Sequence, residues 1–393
     1  MMSVIQLPLL LAAAVLGVPV MVFFTQAVLA ALSREATEAV SGRRPTVAVL
    51  IPAHNEETGI GNTLACLSTQ LNEGDRLLVV ADNCTDGTAA VARGYGAEVC
   101  ERTDPDRRGK GHALDCGVRF LADEPPDVLI IVDADCLAGE GAVGTLARRA
   151  FRAGRPVQAL YMMHSQTRER LSSRIAEFAW KVKNHVRPLG WHKAGFPCQL
   201  MGTGMAFPWP LISAASLANS HLVEDMKLGI ELAGKGYPPL FCREATVSSC
   251  FPLTTDGART QRSRWEHGHM SIIMNELPRL LLQSVRTRNW GLLALAADLM
   301  VPPLALLVLL VGGTLLLSAA LFAWNGMGLP FAAAAVLAAA LASAISLSWW
   351  KFGRTVVSPS DLLLAVVYAA GKIPLYIRYF INKQAEWIRT ERK

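Results

Sequence analysis

The stretch Asp127-Val128-Leu129-Ile130-Ile131-Val132-Asp133-Ala134-Asp135 decides the fold: an unbroken apolar run closes on an acid–x–acid pair. Such a run, bounded by turn-forming residues, is the pattern of a buried strand. Thr46–Ile51, ending at Pro52, and Arg76–Ala81, ending at Asp82, repeat it. Helix-like stretches at Ile60–Gln70 and Thr88–Gly94 alternate with these runs. Strands alternating with helices predict a mostly parallel α/β sheet, whose ligands gather beyond the carboxyl ends of the strands. Asp82, Asp133 and Asp135 stand at those ends.

Outward from this core the chain changes character. Residues 45–288 carry nearly all the charge, whereas the 52% hydrophobic content concentrates toward the two ends. Residues 1–33 hold an apolar segment, unbroken by charge from Leu7 to Phe24, that suffices to span a bilayer. A retained anchor is favoured over a cleaved signal peptide, because the basic start is missing and the apolar stretch is long. Residues 290–350 are read as two further spans, Trp290–Trp324, which carries a Pro302–Pro303 break, and Leu329–Trp350. The segment 359–382 is interrupted by Lys372, Pro374 and Arg378 and is read as interfacial or re-entrant before spanning. Residues 383–393 form a basic tail. Arg34, Arg43, Arg44, Arg279, Arg286, Arg288, Lys351 and Arg354 flank the spans, so the positive-inside rule predicts a cytoplasmic charged domain at 45–270. Basic amphipathic patterns at 170–188 and 271–288 fit either the headgroup plane or packing on a core.

The formal net charge of +6 forms no long basic run with interleaved aromatics, which argues against nucleic-acid binding. Eight cysteines make no C-x-x-C pair, so a zinc site is not expected and reduced, mostly buried thiols are.

The Asp133-Ala134-Asp135 pair can hold one hard divalent ion while phosphate oxygens fill its other positions. Glu224-Asp225 is a second acidic pair, which is equally the signature of a helix N-terminus. Gln261-Arg262-Ser263-Arg264-Trp265 brings guanidinium groups suited to a diphosphate and an indole face suited to a sugar ring. Asp298 is an isolated acid in apolar sequence, either part of a channel or a paired acid near the interface.

Together these motifs resemble the membrane-bound family 2 glycosyltransferases of the GT-A fold, the group of cellulose, chitin, hyaluronan and exopolysaccharide synthases and ceramide glucosyltransferase. The matching segments are Val49–Glu57, Val80–Thr88, Arg108–Leu114, Asp133–Asp135, Gly202–Gly204, Glu224-Asp225 and Gln261–Trp265, in that order. The resemblance implies a Rossmann-like GT-A domain accompanied by transmembrane and interfacial helices. It implies that Ala53, Glu56 and Asp82 contact the nucleotide, usually a uridine diphosphate, with Lys110 on the loop nearby. Asp133 and Asp135 would hold the diphosphate with Mg²⁺ or Mn²⁺. Gly202, Thr203 and Gly204 would line the acceptor entrance. Asp225, with Glu224 beside it, would be the general base. Gln261, Arg262, Arg264 and Trp265 would cap the donor, with Trp265 also facing the acceptor.

The implied reaction is inverting transfer from a nucleotide-sugar donor to a lipid or lipid-linked saccharide acceptor, in bacterial exopolysaccharide or glycolipid synthesis at the inner membrane. The complete Gln-Arg-x-Arg-Trp pattern speaks instead for a processive polysaccharide synthase. Three spans are few for a polymer channel, which would need more helices or an oligomer. A non-catalytic scaffold would require loss of Asp225 or the acid–x–acid pair, and both are present.

Overall fold

The computed structural model describes residues 2–34, 42–167, 169–219, 221 and 223–381. The basic tail 383–393 lies outside them. The chain forms two compact units.

The α/β unit comprises residues 42–166 and 197–268 of the described chain. Its sheet has eight strands: β1 Val47–Ala53, β2 Arg76–Asp82, β3 Glu98–Arg102, β4 Val128–Ile131, β5 Leu137–Ala138, β6 Val157–His164, β7 Met205–Pro208 and β8 Leu240–Cys250. They lie in the order β3-β2-β1-β4-β7-β6-β8-β5. β1 pairs in parallel with β2 and β4, and β2 with β3, so the expected parallel half is present. β7 runs antiparallel to both β4 and β6 and turns the sheet into a mixed one. The three apolar runs of the sequence are thus neighbours at the sheet centre. Their side chains on both faces are buried, which is why they read as continuous rather than alternating.

Helix Lys110–Phe120 covers one face. Its Ala113, Leu114 and Val118 pack in one cluster with Leu50, Leu78, Val80 and Leu129. Gly117 permits this close approach: a Cβ there would lie 2.4 Å from Leu50 Cδ1, so the buried leucine would have to shift. This packing fixes the helix start, and with it Lys110, against the carboxyl ends of the strands.

The helical unit comprises residues 2–34, 167–196 and 269–381 of the described chain. Four of its segments are long and apolar enough to cross a membrane: Gln6–Ala31, Leu304–Asn325, Gly328–Gly353 and Pro359–Arg378. Two of the apolar stretches are each divided into two helices. Residues 290–325 do not form one span: a short helix, Trp290–Leu299, precedes Leu304–Asn325. The break falls at Pro302-Pro303, which lack backbone N–H donors and disfavour helix in the residue before them. Pro359–Arg378, read as interfacial, re-entrant or transmembrane, meets the length and composition of a span, although a turn at Gly371-Lys372 divides it into two helices.

The residues at 167–196 group with this helical unit and contain a π-helical turn at Val182–Val186. Asp298 is buried as a paired acid. Arg187 Nη2 donates to its Oδ1 at 2.8 Å, and Gln26 Nε2 donates to the same oxygen at 2.7 Å. Both partners are themselves buried. No disulfide joins the eight cysteines; three are buried, four half-buried and Cys250 exposed, fewer buried than expected.

Candidate active site

The carboxyl ends of β1, β2 and β4 open onto a cleft of about 940 Å³, its mouth included. The turns after β1 and β2 are bound together. Asn55 and Asn83 sit in the left-handed region at φ 55° and 53°, which short amide side chains tolerate. Asn55 Oδ1 accepts from the Thr85 amide at 2.7 Å, and His54 Nδ1 lies 2.7 Å from the Asp82 carbonyl.

Seven of the residues singled out from sequence line this cleft: Ala53, Glu56, Asp82, Lys110, Asp133, Asp135 and Arg264. Arg108 and Asn83 line it as well. A residue the sequence reading missed also organises it: Arg102, at the end of β3, donates from Nη1 to Asp82 Oδ1 at 2.5 Å and from Nη2 to Asp104 and to the Arg107 carbonyl. β3 is only half-buried and shows no apolar run, so nothing local marked it.

Asp133, Asp135 and Cys136 each offer a ligand atom, all within 4.8 Å of one another. Burial, reinforced by Asp133, pushes the Cys136 thiol up to about 12, and sulfur is a soft donor that a hard divalent ion does not prefer. Two carboxylates remain, hard oxygen donors that fit Mg²⁺ or Mn²⁺. The amide of Asp133 donates to Thr203 Oγ1 at 3.0 Å, which orients the turn.

A second, smaller hollow is lined by Glu224, Asp225, Gly111, Asn219 and Lys227. Glu224 and Asp225 open helix Glu224–Gly234, so the helix-terminus reading of this pair also holds. The helix carrying Arg264, Thr255–Asn275, packs so closely beside them that a Cβ on Gly268 would lie 2.6 Å from Val223 Cγ1. Lys110 joins the two hollows. Its Nζ donates to Asp133 Oδ1 at 2.5 Å and to the Gly202 carbonyl at 2.7 Å, and lies 3.9 Å from Glu224 Oε1. A Cβ on Gly202 would stand 3.5 Å from Asp225 Oδ2 and 3.8 Å from that same Nζ.

The electrostatics follow from this crowding. Burial alone would lower the Lys110 pKa, but the fields of Asp133, Glu224 and Asp225 outweigh it and the ammonium is raised. Burial, aided by Asp225 and opposed by Lys110, holds the Glu224 carboxyl above the usual carboxylate range. Arg264 is lowered by burial while Glu224, Asp133 and Asp225 pull the other way.

The expected acceptor and capping residues are only partly assembled. Gly202 faces Asp225, whereas Thr203 is fully buried and Gly204 packs under the sheet, where a Cβ would lie 2.8 Å from Ala159 Cβ and Val247 Cγ2. Of the Gln261–Trp265 segment only Arg264 lines the cleft; Gln261 is buried, and Arg262 and Trp265 are half-buried beyond its lining.

Residues 45–268 match the model of the family described as Glycosyltransferase like family 2. The chain belongs to that family. Among relatives of this glycosyltransferase, the probable glycosyltransferase YdaM of Bacillus subtilis (strain 168) is 27% identical over 250 residues, 59% of this chain and 57% of that protein. The 4,4'-diaponeurosporenoate glycosyltransferase of Staphylococcus aureus (strain N315) is 36% identical over 102 residues, 25% of this chain and 26% of that protein. The chain thus spans little more than half of one curated relative and about a quarter of the other. Among solved structures, the mannosyltransferase PcManGT from Pyrobaculum calidifontis, in complex with GDP-Man and Mn²⁺, superposes with a TM-score of 0.55 at 16% identity. That match covers 98% of this chain and 100% of that one. The fold is therefore the GT-A fold implied by the motif order.

Proposed function

We propose that this glycosyltransferase transfers one sugar, with inversion, from a nucleotide-sugar donor to a lipid-linked acceptor. The observation that carries the reading is the placement of Asp225 Oδ2 and Lys110 Nζ against Gly202, between the strand-end cleft and the acidic hollow. The cleft takes the donor: Ala53, Glu56 and Asp82 meet the nucleoside, and Arg108, Lys110 and Arg264 supply cationic partners for the diphosphate. Asp133 and Asp135 would hold Mg²⁺ or Mn²⁺, which when bound supplies positive charge to the departing diphosphate.

Asp225 accepts the proton of the acceptor hydroxyl as its oxygen attacks the anomeric carbon. The new carbon–oxygen bond forms as the carbon–phosphate-oxygen bond breaks, and the electron pair leaves with the nucleoside diphosphate. Arg264, facing the same acids, balances that developing charge. A single displacement turns an α-linked donor into a β-linked product.

Four apolar helices support a membrane-bound enzyme acting on a lipid-linked substrate, and the Staphylococcus relative is named for 4,4'-diaponeurosporenoate. The basic flanks support a cytoplasmic catalytic unit at a bacterial plasma membrane. The test is transfer of radiolabelled sugar by the full chain in lipid, across UDP- and GDP-sugars with Mn²⁺ or Mg²⁺. An organic-extractable, discrete product supports the reading; a high-molecular-weight polymer, or no transfer from any donor, rejects it.

A further inference from the structure

Lys110 has been placed among the donor-binding residues, yet its ammonium donates to protein, to Asp133 Oδ1 and the Gly202 carbonyl, and stands 3.9 Å from Glu224 Oε1. Two of its three N–H donors are thereby taken by these partners. One of them is a carboxylate that a divalent ion needs. We propose that Lys110 is the resident counter-ion of Asp133, excluding a free divalent cation until a nucleoside diphosphate arrives to take the lysine in exchange. This rests on the donor-and-metal reading above.

Charge and mechanics both favour the exchange. Asp133, Asp135 and Asp225 gather around Lys110 and Arg264, beside Glu224, whose carboxyl burial holds above the usual carboxylate range. Without Lys110 the site would lose one positive charge, and a dication would be drawn more strongly. The lysine backbone cannot follow the movement. It opens a helix anchored in the core by Ala113, Leu114 and Val118, and a Cβ on the next residue, Gly111, would already lie 2.5 Å from the backbone oxygens of Leu217 and Asn219. The four-carbon stem can swing, however, and Lys110 also lines the donor cleft beside Arg108 and Arg264. Diphosphate oxygens there offer the ammonium new acceptors, and Asp133 is released to the metal in the same event. Metal and nucleotide would then each tighten the binding of the other, by reciprocal coupling. Lys110 thus acts as a positioning residue for the metal, in addition to its contact with the donor.

The experiment measures Mn²⁺ binding to the donor-free full chain in detergent, by calorimetry or by the free-ion resonance signal, and repeats it with UDP or GDP present. The expected result is weak Mn²⁺ binding to wild type and to Lys110→Arg, and binding at least roughly tenfold tighter to Lys110→Gln. The nucleotide should sharpen Mn²⁺ binding in wild type and have much less effect in Lys110→Gln. A merely structural lysine would lower metal affinity when lost, so unchanged or weaker Mn²⁺ binding by Lys110→Gln, in a protein where wild type still binds Mn²⁺ with nucleotide, overturns the inference alone. Wild type that binds neither nucleotide in the presence of Mn²⁺ overturns the donor reading along with it.

Discussion

Replacing Gly204 and Gly202 separately by alanine separates scaffold from site within one three-residue motif. Gly204 has φ 64°, and a new methyl there would meet Ala159 Cβ and Val247 Cγ2 at 2.8 Å. Both neighbours are buried in the sheet, so neither can yield cheaply. The left-handed backbone costs an alanine about 1–2 kcal/mol, and overpacking about 1–3 kcal/mol. Against this, alanine recovers roughly 0.4–1 kcal/mol through a less free unfolded chain. The net loss is about 1–5 kcal/mol, or a melting point lower by on the order of 3–15 °C. Gly202, at φ 89°, bears the same backbone strain, but its methyl would meet Asp225 Oδ2 and Lys110 Nζ at 3.5 and 3.8 Å, ordinary contact distances. It should lose only about 1 kcal/mol, yet place a methyl against the proposed base. The assay is thermal unfolding of the detergent-solubilised chain, followed by intrinsic fluorescence, beside sugar transfer at varied acceptor concentration. Gly204→Ala should lose stability first; Gly202→Ala should stay folded and lose transfer. Equal melting points, or a less stable Gly202 variant, would refute the division.

Asp298→Ala should destabilise the helical unit by about 3–5 kcal/mol, since it strands the buried Arg187 guanidinium, and the loss would appear as a lower melting point and yield; unchanged stability would count against the ion pair. Gly190→Ala should fail to accumulate as folded protein, because its methyl would lie 2.2 Å from the Gln26 carbonyl, backbone that cannot turn aside; a control, Gly94→Ala, has nothing within 4 Å and should match or slightly exceed wild type in melting temperature. The pH dependence of stability should also report Glu224. Its folded pKa is raised, so the folded state binds a proton that the unfolded state has released, and that contribution is present in acid and lost as pH rises through the raised value. Between about pH 5 and about pH 9 the wild-type melting point should therefore fall more than that of Glu224→Gln, and parallel curves would refute the burial argument.

Much of the α/β unit was legible because its central strands are buried on both faces and so appear as unbroken apolar runs closing on aspartates. β6 and β8 were not marked, since the polar residues along β8, from Arg243 and Glu244 to Ser248 and Ser249, hide its pairing with β6. The cleft residues Asp82, Asp133 and Asp135 were readable from position, directly at or after strand ends, whereas Lys110 came only from the motif order of the resemblance. Thr203 and Gly204 were not separable from Gly202 by sequence, because their roles are set by Asp133, Gln158, Ala159 and Val247, all distant along the chain. Arg102 escaped for the same reason: its partner Asp82 lies twenty residues away. In the helical unit, hydropathy found the apolar stretches and the Pro302–Pro303 pair marked the break, but the partner of Asp298 depended on a folding of Arg187 and Gln26 that no local pattern displays.

The central claim is that Asp225 removes the acceptor proton. The direct measurement is the turnover of Asp225→Asn beside wild type, with nucleotide affinity measured on the same preparations. The account predicts transfer lowered by about 10²- to 10⁴-fold with nucleotide binding retained. Transfer within a few-fold of wild type, at equal nucleotide affinity, would contradict it.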